Sequence, residues 1–180
     1  FMIFMGGKDG AYGRNKVAAK WGKMLGDLRE ADPGGYDHRT TIYPQHGHWM
    51  NGDDREALPW MRKKTRDPWP KKIVWNQSGR THERFYWLEV PKGAAKGGQK
   101  IEAEVEGQEI RIHPGGAKEL ILRLSDRLMN LDEDVTVVVD EAILFEGKVE
   151  RRVRAIWNSL RQRADLSSAA TAELRLKIHD

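Results

Sequence analysis

The stretch Tyr43-Pro44-Gln45-His46-Gly47-His48-Trp49-Met50 reads as a strand end that breaks into a histidine-bearing loop. Before it, His38-Arg39-Thr40-Thr41-Ile42-Tyr43 is β-branched and aromatic enough to form a short strand. After it, Asp53-Asp54-Arg55-Glu56 opens a helix. The loop is therefore expected at the C-terminal end of a strand, just before a helix. In open α/β sheets that edge is where ligands bind and chemistry is done.

Upstream, Phe1-Met2-Ile3-Phe4-Met5 is continuously apolar, as in strands buried on both faces of a parallel sheet. Gly6-Gly7-Lys8-Asp9-Gly10 ends it in a glycine-rich turn. From Asn15 to about Glu30, the residues Val17, Ala18, Trp21, Met24, Leu25 and Leu28 recur at helical spacing and define one apolar stripe. Asp32-Pro33-Gly34-Gly35 stops that helix. The sum is a strand, helix, strand unit of the length of a right-handed parallel crossover.

Parallel neighbours end on the same edge of a sheet, so the loop carrying Asp9 and the loop carrying His48 are expected side by side. An aspartate and a histidine that meet there have the types needed for the orienting acid and general base of a nucleophilic triad. The acid holds the imidazole in one tautomer and stabilises the imidazolium formed when it takes a proton. No nucleophile accompanies them. Taken alone, Asp9 is better explained as an Asx-turn residue than as a catalytic acid. The His46-x-His48 pair also invites a metal reading, but pairs of that kind belong to long barrels or to alternating strands rather than to a loop before a helix. Neither metal nor cofactor is expected.

Downstream, Asp53 or Asp54 is expected to cap a helix running to about Lys64, with Leu58, Trp60 and Met61 as its apolar residues and Pro59 in its first turns. Asp67-Pro68-Trp69-Pro70 then breaks the pattern, which places a domain boundary between 69 and 70. Beyond Lys71 the period changes to two. Strands are expected at Lys72–Trp75, Arg84–Val90, Ile101–Val105, Glu109–His113, Glu119–Leu124, Val135–Val139, Ala142–Phe145 and Ala172–Ile178. One helix interrupts them, with Val149, Val153, Ile156, Trp157 and Leu160 on one face and Arg151, Arg152, Arg154, Arg161 and Arg163 around it. The fold class is thus an α/β remnant over 1–69 followed by a mainly antiparallel β-sandwich with one helix over 70–180.

Trp49, Trp60, Trp69, Trp75 and Trp87 concentrate about the boundary. An inter-domain core is the plain explanation; an aromatic platform for carbohydrate or polymer is the sharper one, and it requires exposed rings.

Of the 180 residues, 39% are apolar and 32% charged, the composition of a soluble globular protein. There is no cysteine, which excludes disulfides, zinc-thiolate sites and a cysteine nucleophile. No run of about 18 apolar residues exists, so no spanning helix and no membrane partner is expected. The net charge of +4 is spread among acids. Arg62-Lys63-Lys64-Thr65-Arg66 and the arginine-rich helix read as solvated faces rather than a nucleic-acid surface. The chain starts directly in an apolar run, as a strand entered midway, so it reads as the C-terminal part of a longer protein and its localisation is unknown.

Residues Phe1 to about Trp69 resemble the last third of an α/β-hydrolase, in the branch that holds dienelactone-hydrolase-like and polyester-depolymerase-like esterases and the prolyl oligopeptidase relatives. The resemblance is carried by the strand Phe1–Met5, the Gly-Gly-Lys-Asp-Gly turn with Asp9, the long helix, the strand leading to Gly47-His48-Trp49-Met50, and Leu58-Pro59-Trp60-Met61. That family's chain order is serine, acid, histidine. The resemblance implies catalytic roles for Asp9 and His48, with His48 ahead of His46 because the base follows glycine and precedes an aromatic residue. It implies an ester or peptide substrate for the parent protein. The Gly-x-Ser-x-Gly elbow and most of the oxyanion hole are absent; Ser78 precedes Gly79 but has no glycine two residues before it. The chain alone is therefore expected to be inactive, and its unpaired apolar strands Phe1–Met5 and His38–Tyr43 are expected to promote self-association. The alternative reading is a non-catalytic β-sandwich binding or oligomerisation module, in which Trp75, Trp87 and the basic helix line an exposed surface.

Overall fold

A computed structural model describes residues 1–178, which fall into two compact units, Phe1–Arg66 and the described residues from Asp67 onward. In the first unit, β1 (Met2–Gly6) and β2 (Arg39–Tyr43) pair in parallel, Met2 opposite Arg39 through to Gly6 opposite Tyr43. Between them α1 (Arg14–Ala31) makes the crossover and packs on both strands. Gly22 permits the approach: a Cβ there would stand 2.6 Å from Thr40 Oγ1.

The expected apolar stripe of α1 is divided. Ala18 is buried and Leu25 and Leu28 are half-buried, whereas Val17, Trp21 and Met24 are exposed. With Phe1, Ile3 and Met5, the residues Val17 and Trp21 line an open trough of about 380 Å³.

The helix expected from Asp53 begins later. Met50, Asn51 and Gly52 all have positive φ, so residues Met50–Glu56 form only irregular 3₁₀ turns before the short α2 (Ala57–Arg62). Pro59 is the third residue of α2, where an N–H would have no intrahelical acceptor. Three ion pairs tie the ends of this unit together. Arg39 pairs with Glu56 at 3.1 Å, and Asp37 accepts from Arg29 at 2.8 Å and from Lys64.

The second unit holds two sheets. In one, β3 (Lys72–Asn76), β6 (Lys100–Glu106), β7 (Glu109–His113), β9 (Val135–Val139) and β10 (Ala142–Gly147) lie in the order β10-β9-β7-β6-β3. In the other, β4 (Arg84–Phe85), β5 (Leu88–Glu89), β8 (Glu119–Leu124) and β11 (Ala172–Lys177) lie in the order β11-β8-β5-β4. Among the described residues, every pairing in this unit is antiparallel except β7 with β9. The alternation expected of half-buried strands is present: Ile73 and Trp75, Ile101 and Ala103, Ile110 and Ile112 point inward between exposed neighbours. They share one core with Leu88, Leu120, Leu122 and Leu124 of the second sheet.

The segment expected as one strand from Arg84 to Val90 is a tight hairpin instead. Phe85 pairs with Leu88, Tyr86 turns the chain at φ 52°, and Trp87 and Leu88 become fully buried. Trp69, Trp75 and Trp87 are all in this unit's own core. The indole N–H of Trp69 donates to Ser167 O and that of Trp87 to Pro70 O. These three rings therefore offer no platform and line no exposed surface, which corrects both of those expectations. Trp49 is exposed, and Trp60 is half-buried beneath the Lys64 ammonium.

The second unit's helix, α3 (Val153–Arg163), does not turn its apolar face to the sheet. It buries Ala155 and Ser159 and leaves Val153, Ile156 and Trp157 exposed. The reason lies in the surface it covers. The outer face of β8 carries Arg123, whose side chain is 4% exposed and pairs with Glu89 and Glu173, both at 2.5 Å. A helix laid over such a cluster must offer polar groups. Asn158 donates to Glu173, and Ser159 Oγ accepts from Ala170 N.

The Asp37 junction yields a pH prediction. The Lys64 ammonium, then the Arg29 guanidinium, lower the Asp37 carboxyl from 3.8 to about 2. A depressed folded-state pKa gives stability that is complete above the unfolded value and lost as pH falls through the folded one. Acid titration of the first unit followed by circular dichroism should therefore show loss between about pH 4 and pH 2. Asp37→Asn should already lack that contribution at neutral pH and show a flatter profile across the window; identical profiles would refute the assignment.

Candidate functional site

The candidate site is built at the C-terminal ends of β1 and β2. Its placement depends on two glycines. A Cβ on Gly6 would stand 2.0 Å from Gly47 O and 2.6 Å from His46 O, and one on Gly7 would stand 2.7 Å from Pro44 Cα. Only glycine lets the histidine loop run this close to the turn after β1. Gly7 N then donates to Tyr43 O at 2.7 Å, and Lys8 N to His46 O at 3.0 Å. The turn is also fixed to α1, since Asn15 Nδ2 donates to Gly7 O at 2.8 Å and Asn15 N to Asp9 O at 3.3 Å.

This clamp brings Asp9 and His48 together. His48 Nδ1 lies 2.7 Å from Asp9 Oδ2, with the Asp9 side chain 4% exposed and that of His48 53% exposed. A buried carboxylate that accepts from Nδ1 fixes the tautomer with the proton on Nδ1, leaving Nε2 with its lone pair. The hydrogen bond from His48 holds the Asp9 carboxyl below its ordinary range, with Arg14 adding to the effect, and together they outweigh the opposing effect of burial. Trp49 meets the imidazole edge-on, with ring centroids 5.0 Å apart.

Arg14 is the neighbour that sequence reasoning missed. Its Nη1 stands 3.7 Å from Asp9 Oδ1 and 3.5 Å from His48 Nδ1, and its guanidinium lies over the Tyr12 ring at 5.3 Å. The one available signal was its position at the first turn of the crossover helix, five residues after the acid.

His46 goes elsewhere. It stacks on Tyr43 with centroids 5.1 Å apart, and its Nδ1 is 3.7 Å from Asp53 Oδ2. The two histidines of the His-x-His pair thus face different carboxylates. Among the described residues no group of three or more histidine and acidic side chains is arranged to hold a metal. Ser78 lies in the second unit, in the exposed loop after β3.

A cleft of about 500 Å³ opens at the imidazole, with Phe4, Met5, Trp49, Met50 and Asp54 around His48. The arrangement is chemically able to accept a proton at Nε2 and to stabilise the resulting imidazolium through Asp9. Comparison with protein-family models, with curated proteins and with solved structures finds no match to this chain.

If the missing Cβ atoms make this site, Gly6→Ala should break it. The variant should lose the downfield Nδ1 proton resonance of His48 in proton NMR while the second unit keeps its own dispersed spectrum. Retention of that resonance would show that the glycine is not needed.

Proposed function

We propose that Asp9 and His48 are the orienting acid and the general base of a serine-hydrolase triad whose nucleophile is supplied from outside this chain. The observation that carries this reading is the 2.7 Å contact between a buried carboxylate and a half-exposed imidazole at the shared end of two parallel strands. In this role His48 Nε2 takes the proton of the attacking hydroxyl and later returns it to the leaving group. Asp9 keeps the ring oriented and balances its charge. The substrate class is an ester or a peptide, as the resemblance to α/β-hydrolases implies. The open trough beside β1, with its exposed Phe1, Val17 and Trp21, has the apolar lining that further strands of such a sheet would cover. On this reading the chain by itself turns over no substrate.

The test joins this chain to the nucleophile-bearing part that this reading places before Phe1. The longer chain should hydrolyse p-nitrophenyl esters, and His48→Ala or Asp9→Asn should lower kcat/KM by at least about 10³-fold with little change in stability. The chain described here should show no activity above that of free imidazole. An active longer chain that is indifferent to His48→Ala would overturn the proposal, as would one that shows no hydrolase activity.

A further inference from the structure

We propose that the outward face of α3 is a docking surface for anionic lipid. Val153, Ile156, Trp157 and Leu160 follow the i, i+3, i+4, i+7 spacing of a single helix stripe. Its outward part points away from the sheet: Val153 is 84%, Trp157 64% and Ile156 37% exposed, Leu160 is half-buried at the inner edge of the stripe, and Ala155 and Ser159, across the helix, are buried.

The helix is held in this orientation by polar contacts. Asn158 donates to Glu173, Ser159 accepts from Ala170 N, Gln162 accepts from Arg84 at 3.1 Å, and Arg163 donates to Arg84 O at 3.2 Å. Turning the apolar stripe inward would break all four and lay it over the buried Arg123 cluster. The stripe is therefore apolar surface that this unit does not cover itself.

The charge around the stripe identifies the occupant. Helical geometry places Arg154 along one flank, with Arg161 on the same side at the rim of the polar groove over Arg123, and Arg163 on the other flank. The helix carries three arginines and no acidic residue. Arg154 and Arg161 make no ion pair among the described residues. A second copy docked face to face would bring these like charges together. A bilayer surface instead takes Trp, Ile, Leu and Val at the acyl boundary while flanking arginines reach the phosphates, the arrangement of a helix lying in the interface. Such a helix lies on the membrane and does not cross it. No helix among the described residues is long and apolar enough to cross a membrane.

Co-sedimentation tests the proposal with the chain as it stands. Vesicles of phosphatidylcholine containing about one-third phosphatidylserine should pellet the protein, pure phosphatidylcholine should not, and added salt should release it. Trp157→Ser and the double variant Arg154→Glu/Arg161→Glu should each reduce binding at least tenfold. Val74→Ser, on an exposed position of the other sheet, should leave it unchanged. All these positions are exposed, so wild-type circular dichroism spectra are expected and confirm folding. Absence of vesicle binding would overturn the proposal, as would binding indifferent to both helix variants. Self-association that depends on Trp157 in the absence of lipid would assign the face to a second copy instead.

Discussion

The first unit depends on the close approach between the turn after β1 and the loop after β2. Gly6 and Gly7 have no side chain to keep the 44–47 backbone away, and two backbone hydrogen bonds then join the segments. Everything at the candidate site follows from that contact. The parallel register of β1 and β2 brings the two loops to one edge, the glycines close the gap, and Asn15 ties the turn to the start of α1. His48 reaches Asp9 because the backbone on both sides is already fixed, and Arg14 reaches both because α1 starts beside the turn.

The second unit is governed by a different constraint, the burial of Arg123 between Glu89 and Glu173 on the outer face of a sheet. Two charge-assisted contacts compensate a guanidinium removed from water, and removing one partner would leave an uncompensated charge. The cluster also dictates what may lie above it. α3 covers it with Asn158 and Ser159 and keeps its aliphatic and indole groups outside. The same polar interface that completes the sheet thus creates the exposed apolar stripe.

Elements whose signal is local were legible in the sequence. The strand, helix, strand order of residues 1–43 and the strands Glu109–His113, Glu119–Leu124 and Val135–Val139 follow from hydrophobic period and turn residues alone. The nearness of Asp9 and His48 followed from the rule that parallel neighbours share an edge. What could not be read depends on partners distant in sequence. Residues Arg84 to Val90 look like one strand because nothing local announces that Tyr86 adopts a left-handed turn to bury Trp87. The orientation of α3 was not legible, because hydrophobic spacing identifies an apolar face and not what lies beneath the helix. The parallel pairing of β7 with β9 leaves no local mark, and Arg14 carried no motif that would tie it to the acid.

The site stands on Asp9 holding His48 in the tautomer with the proton on Nδ1 and the lone pair on Nε2. Two-dimensional ¹H–¹⁵N correlation across the neutral imidazole ring reads the tautomer directly. A protonated Nδ1 and an unprotonated Nε2 are predicted for His48, with that preference lost in Asp9→Asn. A ring protonated at Nε2 in the wild-type chain, or a tautomer unchanged by Asp9→Asn, would contradict this assignment.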